Sequence, residues 1–254
     1  MVLLRYFAAF FPAIAAFFAF EALFRFPQQV FVILGLWLAV FAAAHAFLGH
    51  KEKHTFARWQ FAIPSATLIV SGSAYALFLE SSLLRQGLAF FLPLLVGVVF
   101  WNVYLFLYQP LRYQANSLEH LSLLANLLTM FFSVTSLFGL RLFLSTPAWV
   151  LALAVFVLGG MLVQQSFWVS KISHQDAKPY LLLIPFVLVQ FVVALMGLPV
   201  THAVSGAATA IVYYIFLGMT RAVLRKTYTP QIGKRYAFIA VIGMVLLLTT
   251  AQWS

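Results

Sequence analysis

The chain contains no cysteine and very little charge of either sign. Without a thiol it can form no disulfide, no thiolate metal site and no cysteine nucleophile. Only 8% of its 254 residues are charged, and 64% are hydrophobic. A soluble domain has about 25% charged and about 45–50% apolar residues, so these values exclude a soluble domain, a disordered chain and a secreted disulfide scaffold.

Acidic residues are the scarcest charged type, with five of them against fifteen basic residues. None of the five falls in the middle of an apolar segment, where ion-coupled transporters usually carry a carboxylate. The basic residues form no continuous face for a nucleic-acid backbone, so we predict no nucleic-acid partner. Paired carboxylates and an H-E-x-x-H motif are also missing, which disfavours an enzyme and predicts no catalytic residues, no metal and no cofactor.

The chain does contain nine long apolar segments. A helix that crosses the hydrocarbon core needs about 20 such residues. We predict spans at residues 6–24, 29–49, 58–80, 87–108, 120–143, 147–170, 179–199, 202–223 and 234–252. We therefore expect one all-α integral membrane domain over residues 1–254, a polytopic bundle of nine transmembrane helices in a lipid bilayer. The first helix is expected to be retained, because no small-residue cleavage site follows it.

The basic residues also predict the orientation of the chain. With nine spans, twelve of the fifteen Lys and Arg residues lie on the side of the N-terminus, and the others are Arg25, Arg85 and Arg141. Cytoplasmic loops of membrane proteins carry an excess of Lys and Arg. This bias predicts a protein of the plasma (inner) membrane with a cytoplasmic N-terminus and an external C-terminus.

Short sequence matches suggest an internal repeat. One example is Ile63-Pro64, which recurs as Ile184-Pro185. Matches of this kind predict pseudo-repeats at residues 1–110 and 120–223 with an extra helix at 234–252. Each repeat would have four spans, so the two copies would enter the membrane in the same direction. Chance is the alternative explanation, because short matches are common in a chain with 28 phenylalanines.

Six polar residues inside the apolar segments make up the candidate site. They are His45, Asn102, Asn126, Gln164, Gln165 and Gln190. Amides within a bilayer need hydrogen-bond partners, so they face one another or a wet cavity. One interpretation is polar contact between helices, and the other is a cavity that opens to the cytoplasm. We predict that at least three of the amides on the fourth, fifth and sixth spans converge, with His45 at the rim.

Two other polar groups have simpler explanations. His45, His50 and His54 superficially resemble the histidine boxes of membrane desaturases, but those di-iron sites need adjacent histidine pairs, and the chain has none among its six histidines. Asn116 and Glu119 have the spacing of a capping box at the start of the fifth span. Both groups are therefore interpreted as structural.

The least generic segment is Tyr108-Gln-Pro-Leu-Arg-Tyr-Gln-Ala-Asn-Ser-Leu-Glu-His-Leu121. It resembles a family of multi-pass membrane proteins of candidate-phylum bacteria that is known only as a domain of unknown function. The resemblance implies no activity and transfers no site residue. Kinked spans and buried amides favour a transporter or lipid-handling protein with a cytoplasm-facing polar cavity and a small-molecule or lipid substrate. The alternative is a non-catalytic membrane subunit or scaffold of a larger complex, favoured by the lack of ionisable groups.

Overall fold

The structure is a computed structural model that describes residues 2–50 and 55–250, with side chains for residues 7–50, 59–245, 247 and 249. Within this part of the chain the backbone is helical nearly throughout and contains no strand. Its nine α-helices are α1 (Val2–Arg25), α2 (Val30–Gly49), α3 (Thr55–Ala76), α4 (Ser82–Tyr108), α5 (Ser117–Leu144), α6 (Ala148–Val169), α7 (His174–Leu195), α8 (His202–Leu224) and α9 (Pro230–Thr250). Every predicted span therefore overlaps one of these helices, and the end of the last span, at residues 251–252, lies outside the described residues.

Seven of the described helices are long and apolar enough to cross a membrane. They are α1, α2 and α4 to α8. The third helix, α3, is not among them, and it carries several polar residues, including Gln60, Ser65 and Ser71. These helices make the chain a multi-pass integral membrane protein of the all-α class. The exact number of spans and the orientation of the termini stay predictions.

Two helices begin earlier than their predicted spans, and each has polar residues in or just before its first turn. The fourth helix begins at Ser82 rather than at residue 87, because the Ser81 hydroxyl accepts a hydrogen bond from the N–H of Leu84. The seventh helix begins at His174 rather than at residue 179. Its first turn contains Asp176, whose negative charge suits the positive end of the helix dipole.

The chain divides into two compact units. The N-terminal unit comprises Met1–Asn126, and the C-terminal unit comprises Leu127–Ser254. In the N-terminal unit, α1 packs against both α2 and α4, and α3 packs against α4. In the C-terminal unit, α6, α7 and α8 each pack against the next helix along the chain. The predicted single domain and the predicted pseudo-repeats stay predictions.

Close helix approach in both units depends on glycine. A Cβ atom on Gly72 of α3 would overlap the side chain of Leu92 on α4. In the C-terminal unit a Cβ atom on Gly206 of α8 would overlap the Thr135 hydroxyl of α5. Small residues let helix backbones approach closely, and this approach provides the packing contacts that hold helices together in lipid.

Candidate functional site

His45 lies in a cage of aromatic rings in the N-terminal unit. Its side chain is 4% exposed, and its ring is nearly parallel to that of Phe41 one turn earlier on α2, with 6.1 Å between centroids. Trp59 of α3 and Phe100 of α4 contribute rings at 5.9 and 6.4 Å. The cage therefore joins three helices around one imidazole.

Asn102 makes a polar contact between two helices. Its Nδ2 donates to the carbonyl oxygen of Val98 on its own helix at 2.8 Å, and its Oδ1 accepts a hydrogen bond from the Ser117 hydroxyl at the start of α5. Asn102 is two residues beyond Phe100 on α4, so the two side chains point to different sides of the helix. Asn102 therefore points away from the aromatic cage of His45.

The segment from Tyr108 to Leu121 is held in place by tyrosine hydroxyls. Tyr108 donates to the carbonyl oxygen of Leu48 at 2.9 Å, which joins the end of α4 to the end of α2. The Tyr113 hydroxyl accepts a hydrogen bond from the N–H of Leu118 at 3.1 Å, in the first turn of α5. That hydrogen bond satisfies a free N–H at the start of α5, the role of a helix cap, which the sequence spacing predicts for Asn116. Asn116 has a φ of 64°, in the left-handed region.

The remaining amides of the candidate site differ in exposure. Asn126 of α5 is fully buried, and Gln165 of α6 is 1% exposed. Gln164 is half-buried and Gln190 of α7 is exposed. Asn126 belongs to the N-terminal unit and the three glutamines to the C-terminal unit. The structure thus joins Asn102 to Ser117, while the convergence of three amides stays a prediction.

A pronounced concave feature among the described residues is an apolar groove in the N-terminal unit. This α1–α4 groove has a volume of about 480 Å³. Its walls are Phe10, Ala13, Ile14 and Phe17 of α1, with Phe90, Pro93, Leu94, Gly97, Val98 and Trp101 of α4. No polar or charged side chain other than the Trp101 indole lines it. Its shape and chemistry therefore suit an apolar ligand.

The groove follows one face of each helix. Its residues recur at spacings of three, four and seven, which is the period of a single helix face. Phe10 stacks on Trp101 at one end, with 5.4 Å between centroids and 26° between planes. In the floor, a Cβ atom on Gly97 would lie 3.2 Å from the Ala13 Cβ. The lining of α4 extends over 11 residue steps, or about 16 Å at 1.5 Å per residue.

Sequence reasoning concentrated on polar residues and missed this groove. The available signal was a small residue flanked by aromatic residues at helical spacing, as in Phe10-x-x-Ala13-Ile14-x-x-Phe17. The same helix buries Ala9 and Ala16 and exposes Phe7 and Phe11, so the pattern has little contrast with its surroundings. Only the position of α4 shows which apolar residues border the groove.

Comparison of the chain with protein-family models, with curated proteins and with solved structures gives no match. The resemblance of the segment from Tyr108 to Leu121 therefore stays a prediction. In the part of the chain that the structure describes, no three His, Asp or Glu side chains come together as a metal site. The geometry of the groove is consequently the main guide to function.

Proposed function

We propose that this integral membrane protein handles lipids and that its α1–α4 groove holds one hydrocarbon chain of a membrane lipid. The observation that carries the proposal is an aromatic groove, with Phe90 and Leu94 exposed at its rim. A groove with an exposed apolar rim admits a chain sideways from the bilayer. The polar cavity expected from the sequence is a separate hypothesis, and the groove does not depend on it.

The size of the groove favours a hydrocarbon chain over a helix of another protein. Ligand pockets are usually about 300–1,000 Å³, and the groove, at about 480 Å³, lies within this range. A helix about 10 Å across with a pitch of about 5.4 Å occupies roughly 400 Å³ per turn. The groove therefore holds little more than one helical turn, whereas its length of about 16 Å suits a thin, extended chain.

The expected preference for lipid is modest, because a lipid tail leaves one apolar environment for another. The hydrophobic effect provides no driving force within the bilayer, so the tail gains only packing contacts with the groove walls. Stacked rings at Phe10 and Trp101 and the close contact of Ala13 with Gly97 keep these walls fixed. A rigid groove loses less entropy when it binds, which favours retention of a bound chain.

Photocrosslinking tests this function directly. The protein is reconstituted in nanodiscs of phosphatidylcholine that contain a phospholipid with a diazirine on its tail, and the crosslinked peptides are mapped by mass spectrometry. We expect labelling of the α1 and α4 groove peptides to exceed that of other exposed aromatic segments, such as the one around Phe186, which is 54% exposed on the membrane-spanning helix α7. Equal labelling of these segments would contradict the proposal.

A groove-filling variant makes the test specific. Leu94→Trp replaces an isobutyl group with a bulky indole ring at the rim, where Leu94 is 54% exposed, and should reduce groove labelling several-fold. Leu84→Trp is the matched control, because Leu84 is on the same helix, is 57% exposed and lies outside the groove. Reduced labelling in both variants would indicate a general effect of tryptophan, and labelling of a co-purifying protein at the groove would favour the subunit hypothesis.

A further inference from the structure

One end of the C-terminal unit is strongly basic. It consists of the ends of α6 and α8 and the starts of α7 and α9. All basic residues between positions 127 and 254 lie there except Arg141, and the sequence has one acidic residue in that range, Asp176. Such an excess of positive charge attracts anionic groups at a membrane surface.

Two arginines of this basic end lie at the end of α8, Arg221 in its last turn and Arg225 directly after it. Arg225 donates from Nη2 to the carbonyl oxygen of Ser170 at 2.9 Å, which joins the end of α8 to the end of α6. Arg221 lies one turn earlier on the same face of α8 and is half-buried. Like charges four residues apart on a helix repel each other, so an anion placed between them would be stabilised.

The start of α9 lies against the same part of α8. The Tyr236 hydroxyl contacts Gly218, where a Cβ atom would overlap it, and its ring is 5.5 Å from that of Tyr214. Gly218 is three residues before Arg221, so it shares a helix face with that arginine. The contact brings the Tyr236 hydroxyl to the region of Arg221.

Two lysines at this end have a left-handed backbone conformation that glycine adopts more easily. Lys171 follows α6 and Lys226 follows α8, with φ values of 56° and 55° in the left-handed region. In each case the next residue donates its N–H back to the helix, Ile172 to the Phe167 carbonyl and Thr227 to the Ala222 carbonyl. Glycine is the usual residue at such a helix end. The two lysines add positive charge beside the arginine pair in spite of this preference.

We propose that Arg221, Arg225 and the start of α9 bind the phosphate group of an anionic phospholipid. The site shares no residue with the α1–α4 groove and is independent of the lipid-handling function. Guanidinium groups suit phosphate because they donate two parallel hydrogen bonds, and basic pockets between transmembrane helices bind anionic headgroups. Arg221 lies three residues inside the end of α8, a rise of about 4.5 Å, which places it near headgroup depth.

Lipid retention by the whole protein tests the site. Purified protein in a non-ionic detergent is titrated with phosphatidylglycerol, phosphatidylcholine or inorganic phosphate, and bound ligand is counted by native mass spectrometry. We expect tight binding of one phosphatidylglycerol and weak binding of phosphatidylcholine. Arg221→Gln with Arg225→Gln should weaken phosphatidylglycerol binding about ten- to thirty-fold. Inorganic phosphate bound as tightly as phosphatidylglycerol would overturn the assignment to a lipid.

Two further variants distinguish binding at a specific arginine site from general attraction of the lipid by positive charge. Arg112→Gln with Lys178→Gln removes the same number of positive charges, both of them from exposed side chains outside the site, so it should change binding less than three-fold. Arg221→Lys with Arg225→Lys keeps both charges and loses the planar donor pair, so it should have an intermediate effect and should fold if the glutamine variant does not. Equal losses in the two double glutamine variants, or full binding by the lysine variant, would overturn the arginine site.

Discussion

The two units of the protein are held together by different kinds of side chain. The N-terminal unit stacks aromatic rings in columns, one along α2 with Trp37, Phe41 and His45, and one along α4 with Trp101, Tyr104 and Tyr108. Glycine gives close approach in both units, and in the C-terminal unit Gly206 of α8 approaches even a backbone atom, the Phe131 carbonyl oxygen of α5. Aromatic rings gain packing contacts by filling the space between helices. Glycine gains them because, without a side chain, it lets two helices approach closely.

The difference reflects the solvent in which the chain folds. Lipid tails are as apolar as the side chains that they surround, so burial of apolar area contributes little to helix association. Packing contacts and hydrogen bonds must supply the stability instead. The indole N–H of Trp37 illustrates this in the N-terminal unit, because it donates to the carbonyl oxygen of Pro12 on α1 at 3.2 Å. Ser166 of α6 and Tyr213 of α8 share a hydrogen bond of 3.3 Å in the C-terminal unit.

The largest expected loss of stability comes from removal of the Phe100 ring in the N-terminal unit. Phe100 is 2% exposed and contacts the rings of both Phe41 and His45. Phe100→Ala should lower the free energy of unfolding by about 3–5 kcal/mol, because it leaves a cavity among rings from several helices. Unfolding in mixed micelles measures this change. Phe90→Ala, at a site 65% exposed, is the control and should cost much less. Similar losses in the two variants would show that the columns do not determine stability.

Addition of one methyl group should have the next largest effect, in the C-terminal unit. Gly206→Ala would bring a Cβ atom to 2.8 Å from the Phe131 carbonyl oxygen, a backbone atom that has little room to move. The variant should lose about 1–3 kcal/mol of stability. Gly35→Ala is the matched control, because nothing lies within 4 Å of its added methyl group and alanine favours a helix. If both alanine variants were equally stable, close approach would not explain the C-terminal unit.

The sequence predicts where the helices are, because proline and polar residues interrupt its apolar segments. The sixth helix, Ala148–Val169, matches its predicted span of 147–170 to within one residue at each end. Sequence does not predict which faces meet. A helix that is apolar on every side carries no periodic signal for its neighbours, so the partners of His45 on α3 and α4 could not be identified. The α1–α4 groove was missed for the same reason.

Polar sites were harder to predict, because hydrogen-bond partners come from residues distant in sequence. The capping box expected from Asn116 and Glu119 depends only on local spacing. The Tyr113 hydroxyl, which accepts a hydrogen bond from the N–H of Leu118 in the same turn, comes from a loop whose path the spacing does not specify. The capping box itself stays a prediction. From sequence, Asn102 is only an amide within an apolar segment, and its partner Ser117 becomes visible only when the start of α5 has been placed.

The smallest expected effect concerns the amides, and it distinguishes contact between helices from a wet cavity. Asn102→Leu removes the hydrogen bond to Ser117 and should cost about 0.6–1 kcal/mol, the usual value for a polar contact between membrane helices. A double-mutant cycle with Ser117→Ala should recover a coupling of about 0.6 kcal/mol, because each single change removes the same bond. Gln190→Leu in the C-terminal unit is the comparison, since its exposed side chain should tolerate leucine with little loss of stability. A coupling near zero would mean that Asn102 does not act through Ser117, and a large loss of stability in Gln190→Leu would place that amide in a buried contact of the assembled protein.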